Sequence, residues 1–168
     1  LILEGDPELP AVILVRGGKL TLRGIEIVGG QRSILVSDQA DVTVDNCRIR
    51  KSGGAGISVF GNAYLLMQEG SVTDSASHGV EAHDQSRIVL SGPSLRRNGQ
   101  GGVALFGNAR CDAQNSLLED NGQWGFVATD ESRLQAVQCV IRGTGFADVD
   151  AGRSATMDLD ACHLVEGR

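Results

Sequence analysis

The sequence predicts an all-β chain wound into a right-handed parallel β-helix, a solenoid of about seven coils of 22–23 residues with three short strands per coil. Three observations predict it. Apolar residues recur at a fixed spacing: Ile34, Ile57, Val80, Val103, Phe126 and Val149 follow one another at 23 residues, and an earlier coil starts near Val12. Within each interval the apolar or small positions fall into three pairs whose members are two residues apart, the period of a strand with one buried face. Between the pairs stand Gly, Asn, Asp and Ser, the residues of tight turns.

Counting each starting residue as position 1, position 3 reads Leu14, Val36, Val59, Ala82, Leu105, Ala128 and Ala151. Position 9 reads Leu20, Val42, Leu65, Ile88, Cys111, Leu134 and Met157, and position 16 reads Ile27, Ile49, Val72, Leu95, Leu118, Ile141 and Leu164. Positions 11 and 14 complete the inward set. A left-handed helix would need a shorter hexapeptide period, and a leucine-rich repeat would need its LxxLxLxxN signature; both are absent. Stacking at about 4.8 Å per coil makes a rod roughly 30–35 Å long, each coil burying its inner face only against its neighbours. Residues 1–168 read as one such domain, excised from a larger protein: there is no initiator Met and no signal segment, and LILEGD reads as the middle of a strand.

The corners are legible as well. Gly56, Gly79, Gly102 and Gly125 close a long turn at position 23, and position 19 carries Ser52, Ser75, Asn98, Asn121 and Thr144, a stack of polar side chains able to bond one another and the turn backbone. The segment FGNA appears at Phe60–Ala63 and Phe106–Ala109, 46 residues apart. It occupies positions 4–7, where other coils carry Ser37-Asp38-Gln39-Ala40, His83-Asp84-Gln85-Ser86 and Thr129-Asp130-Glu131-Ser132. Gly-Asn and Asp-Gln corners therefore alternate, and FGNA reads as a duplicated turn.

Composition excludes some partners. A net charge of −6 argues against a general nucleic-acid surface, and no apolar run approaches a membrane span. Cys47, Cys139 and Cys162 fall at position 14 and Cys111 at position 9, so all four point inward. Parallel stacking aims their Cβ vectors alike, which predicts free thiols packed as small apolar groups. This suits a reducing compartment slightly better than a secreted one without deciding it.

Units such as GGVALFGNARCDAQNSLLEDNGQWG (residues 101–125) resemble the repeats of the pectin-lyase-like right-handed β-helices, and the resemblance runs from about Val12 to Leu164. That superfamily holds pectate lyases, polygalacturonases and mannuronan epimerases beside non-catalytic repeat modules. The chain departs from the catalytic patterns. It lacks the clustered acids that hold calcium in the lyases, the Gly-His-Gly of the polygalacturonases and the Asp-Pro-His-Glu of the epimerases. Arg48-Ile49-Arg50-Lys51 only echoes the Arg-Ile-Lys of the polygalacturonases. Regular coils with short turns resemble the non-catalytic group, and no cofactor or metal is implied.

Candidate site residues lie on outward positions. Glu81 and His83 share one face of a first strand, the arrangement of a general acid–base pair, but an outward strand ending in a turn Asp reads first as a solvated edge. Position 4 reads Ser37, Phe60, His83, Phe106 and Thr129, so three rings stand on consecutive coils. They form either an exposed stripe for sugar rings or a partner chain, or a lid folded over the corner. His78 and Trp124, both at position 22, flank that stripe. Position 8 carries Arg87, Arg110 and Arg133, a row for carboxylated sugars or an acidic peptide, or else a surface salt-bridged by Asp84, Asp130 and Glu131. Three functions remain open: a non-catalytic module presenting a rigid sheet face to a protein or glycan partner, a lyase or epimerase acting on uronic-acid polymers, and a structural spacer. Uncapped coil ends add end-to-end self-association.

Overall fold

In the computed structural model, which describes residues 1–165, the chain is a parallel β-helix with no α-helix and three sheets of seven, seven and eight strands. The first sheet runs from Ile13–Arg16 to Ala147–Ala151, the second from Lys19–Arg23 to Thr156–Asp160, and the third from Ile2–Gly5 to His163–Val165. Every pairing is parallel and joins a strand to its equivalent one coil away. Val80 pairs with Ile57 and Val103, Ile88 with Leu65 and Cys111, and Val72 with Ile49 and Leu95. The rows read from the sequence are thus the rows of the core. Ile34, Ile49, Ile57, Leu65, Ile88, Leu95 and Leu118 are fully buried, and each such aliphatic side chain contributes about 1.5–3 kcal/mol on leaving water.

The strands are short because nearly every corner turns on a residue with positive φ. After the first strand that residue is Asp38, Gly61, Asp84, Gly107 or Asp130, with φ of 62, 69, 60, 66 and 57°. Gly needs no accommodation there, and Asp tolerates the left-handed region. FGNA is therefore one of two equivalent corners. The two kinds are also complementary: Asp84 accepts from the Gly61 N–H at 2.9 Å and Asp130 from the Gly107 N–H at 2.9 Å. Two further left-handed corners fall at positions 13 (Asn46, Glu69, Gly92, Asn115, Gln138) and 18 (Lys51, Asp74, Arg97, Asp120, Gly143). Long charged residues at several of these sites hid them from a reading based on turn residues.

The third corner encloses the polar stack. Asn98 Nδ2 donates to Asn121 Oδ1 at 3.1 Å and to the Val72 carbonyl at 3.3 Å, and Asn121 Nδ2 donates to the Leu95 carbonyl at 3.0 Å. Their side-chain oxygens accept from the backbone N–H groups of Ser75 and Asn98. Gly102 and Gly125 are required beside it. A Cβ on Gly102 would stand 2.7 Å from Leu118 Cδ2, and one on Gly125 would stand 2.3 Å from Ile141 Cγ2.

The first coil corrects the spacing argument. Ile13, not Val12, pairs with Ile34, and Val15 rather than Leu14 pairs with Val36. Leu14 points outward and is 44 % exposed. The first corner, Gly17-Gly18, is one residue shorter than Asp38-Gln39-Ala40, so the strand before it slides by one and changes faces. The four cysteines are free, and Cys47, Cys111 and Cys139 are buried. Burial raises the Cys111 thiol well above its ordinary value and also raises Cys139.

Candidate binding face

The outer face of the first sheet gathers most of the sequence candidates. Side chains at positions 2 and 4 and, across the glycine corner, position 22 meet over it. Phe60, His83 and Phe106 stack in that order, with centroids 4.4 and 4.7 Å apart and rings 5° and 17° from parallel. This is the stacking expected of three rings on consecutive parallel strands. Their faces are turned to one another along the rod axis, so the ladder presents ring edges to the solvent. The rings are half-buried and stand outside the core.

Beneath the ladder lies a charged cluster that the strand pattern did not foretell. Glu81 was expected at a solvated edge; it is only 9 % exposed. Its Oε1 accepts from the Ser58 hydroxyl at 2.6 Å and lies 3.6 Å from Arg32 Nε and 3.7 Å from His83 Nε2. Arg32 Nε in turn donates to Ser58 Oγ at 2.8 Å, and its guanidinium stands 5.8 Å from the Phe60 ring centroid. Burial pushes the Glu81 carboxyl up, but the His83 ring, the Ser58 hydroxyl and the Arg32 guanidinium outweigh it and hold the carboxyl below its ordinary value. Sequence reasoning missed Arg32 and Ser58. The available signal was positional: Arg32 stands one residue before a position-23 site, as His78 and Trp124 do, and Ser58 is the position-2 neighbour of Glu81.

His78 lies on the opposite margin, 5 % exposed and edge-on to Phe106 at 6.2 Å. Burial lowers its pKa, against the pull of Glu81, so the ring is held neutral. Trp124, two coils on in the same row, meets Phe146 edge-to-face at 6.3 Å. Phe146, which the sequence reading did not single out, is 76 % exposed. His78 Nδ1 and Trp124 Nε1 are buried on this face without a protein hydrogen bond, and His83 Nε2 has only its long approach to Glu81. Among the described residues no group of three His, Cys, Asp or Glu is placed to hold a metal ion.

The arginine row lies on a different sheet. Arg87, Arg110 and Arg133 stand in register at the start of the second strand. The acids expected to compensate them do not: Asp84 and Asp130 bond glycine amides at the corner. Asp112 pairs with Arg87 at 2.7 Å instead.

A family model described as a right-handed β-helix region matches residues 10–163. The chain belongs to the right-handed β-helix family. No curated protein matches it by sequence. Among solved structures, this β-helix is similar to the periplasmic alginate epimerase AlgG, with a TM-score of 0.76 and 11 % identity over 91 % of this chain and 43 % of that one. An aspartate-to-alanine mutant of the same enzyme superposes with a TM-score of 0.57 and 11 % identity over 93 % of this chain and 49 % of the other. The β-helix thus spans less than half the length of the structures it matches, and at this identity the likeness is one of fold.

Proposed function

We infer that this β-helix is a recognition module whose first sheet offers a preformed contact face to a glycan chain lying along the rod. The observation that carries the reading is the pairing of apolar edges with unsatisfied polar atoms just beneath them. Phe60, Phe106, Trp124 and Phe146 supply the apolar surface, and His78 Nδ1 and Trp124 Nε1, buried without a protein hydrogen bond, supply bonding capacity that a small shift of the rings would open to a ligand. A sugar needs both, an apolar flank and partners for its hydroxyls. The acid on this face is already engaged: Glu81 is bonded to Ser58 and flanked by Arg32 and His83, an arrangement that favours holding shape over turnover.

A second reading is a polysaccharide-modifying enzyme. It is favoured by the 3.7 Å approach of His83 to Glu81 on one face and by the likeness to a solved alginate epimerase. One experiment separates the two. A screen of neutral glycans and uronic-acid polymers is run with the wild type, Trp124→Ala and the double variant Phe60→Ala/Phe106→Ala, each checked for fold by circular dichroism. Binding lost in the folded variants, with no change in the polymer, is the expected result. Turnover abolished by Glu81→Gln would establish the enzyme, and binding indifferent to all three aromatic substitutions would sink the first-sheet site.

A further inference from the structure

One outward row on the first-sheet face has a rung missing. Position 22 carries Ala55, His78, Gly101, Trp124 and Ala147 on successive coils. Gly101 is an ordinary strand residue. Its φ is not left-handed, unlike that of Gly61 or Gly107, and no core side chain would strike a Cβ there, as one would at Gly102 or Gly125. The atoms nearest to such a Cβ are His78 Nδ1 at 3.0 Å, the Trp124 carbonyl oxygen at 3.4 Å and His78 Cε1 at 3.6 Å. The glycine is thus a seat, and the His78 ring lies on it, tipped from its own coil onto the next.

The seat suits a neutral ring and not a charged one. The ring is held by burial and by its edge contact with Phe106, while Nδ1 lies over Gly101 without a hydrogen bond. The charged and titratable groups that act on it are Glu81 and His83, on the strand that follows. Glu81 is already shared among Ser58, Arg32 and His83, and a proton on His83 opposes one on His78. His83 is placed differently: it is clamped between Phe60 and Phe106 and has Glu81 at 3.7 Å. In acid, one histidine has a carboxylate to face and the other has none of its own. Rotation about its side-chain bonds carries the His78 ring to water, while its backbone stays tied by the bond that its carbonyl accepts from the Gly56 N–H at 3.0 Å.

We propose that His78 is an acid-released latch on the first-sheet face: seated on Gly101 near neutrality it covers part of that face, and in mild acid it swings out and bares Gly101 and the flank of Phe106. Its role as a gate for ligand rests on the reading of this face as a glycan contact; the latch itself does not. The released ring takes up a proton at the ordinary value of 6.5, whereas burial holds the seated ring's value lower. Each pH unit below 6.5 therefore favours release by up to about tenfold, until the seated ring itself titrates. Release also returns Nδ1 to a hydrogen-bonding partner, water, which the seat denies it.

The test is histidine-ring NMR of the wild type and of Gly101→Ala, titrated from about pH 8 to about pH 5, with His78→Gln to assign the signal. The wild-type His78 ring is expected to titrate below its ordinary value and to lose its contacts with Phe106 and Gly101 as it protonates. Gly101→Ala, which the strand backbone accepts, is expected to stay folded, to lack the Phe106 contacts already near neutrality, and to return the His78 titration to its ordinary value. Contacts that persist through the wild-type titration overturn the latch, and so do Phe106 contacts retained in Gly101→Ala. Were Gly101→Ala to unfold, the wild-type titration alone decides. Cellohexaose, a neutral probe on which the new charge exerts no net pull, reports on the gate by calorimetry at about pH 7.5 and about pH 5.5. The wild type is expected to bind it up to about tenfold tighter at the lower pH, and Gly101→Ala to show no such gain. Equal wild-type affinity at both pH values overturns the gate. No binding at either pH, with the NMR transition intact, defeats the glycan reading and leaves the latch; a missing NMR transition with cellohexaose bound does the reverse.

Discussion

Two ladders run along this rod, and they differ in how their polar groups are settled. Inside the third corner, Asn98 and Asn121 are fully buried, and both side-chain amides bond the backbone of the preceding coil. Ser75 Oγ is the one lapse in that stack. On the outer face of the first sheet, His78 and Trp124 are packed among aromatic rings with ring nitrogens that make no hydrogen bond within the protein, and His83 Nε2 has only a long approach to Glu81. Both ladders arise from the same repeat and the same pitch. A satisfied stack holds coils together; a stack with bonding capacity left over is suited to something outside the chain.

Breaking the inner ladder is expected to have the largest effect. Asn121→Ala removes the acceptor for the buried Asn98 backbone N–H and for one of the two Asn98 side-chain N–H groups, and takes the donor from the Leu95 carbonyl, a loss of about 2–4 kcal/mol measurable by chemical denaturation. If the loss were no greater than that of an exposed substitution, the ladder would not be holding the coils. Phe106→Ala strikes the outer ladder, where the ring is half-buried and stacks on one neighbour. About 1–2 kcal/mol is expected, and a loss equal to that of Asn121→Ala would erase the contrast between the two ladders. The smallest effect is the response to acid. An unfolded chain protonates His78 near its ordinary value of 6.5 and the folded chain only at lower pH, so stability should decline as pH falls below about 6.5. Glu81, held below its ordinary 4.5, adds a second decline below that value. His78→Gln should remove the first decline and keep the second; stability that rises on acidification through pH 6 would contradict a neutral, buried His78.

The coil period, the inward rows, the free cysteines and the polar corner stack were all legible in the sequence, because each depends on residues one repeat apart. What failed was local or lateral. A coil start at Val12 puts Leu14 inward, and only the pairing of Ile13 with Ile34 shows that Gly17-Gly18 shortens the corner. Glu81 was expected in solvent because alternation describes one strand at a time. Its burial comes from Ser58 one coil back, from the rings at its side and from Arg32 across the glycine corner. The sequence offers corner acids as compensation for Arg87, yet Asp112, two positions along the next coil's strand, reaches it.

The complementary corners carry one more consequence. Two Asp corners cap the glycine amide of the coil before them, Asp84 to Gly61 and Asp130 to Gly107, so coils three to six are joined as two couples. Loss or gain of a single coil would set two corners of the same kind next to each other and leave either an amide without its cap or an Asp without its amide. Change by couples leaves every cap in place. The rod therefore has a grammatical number: along this stretch it lengthens and shortens most readily in twos, in steps of about 9.6 Å, and related chains of differing length should differ by even counts of coils.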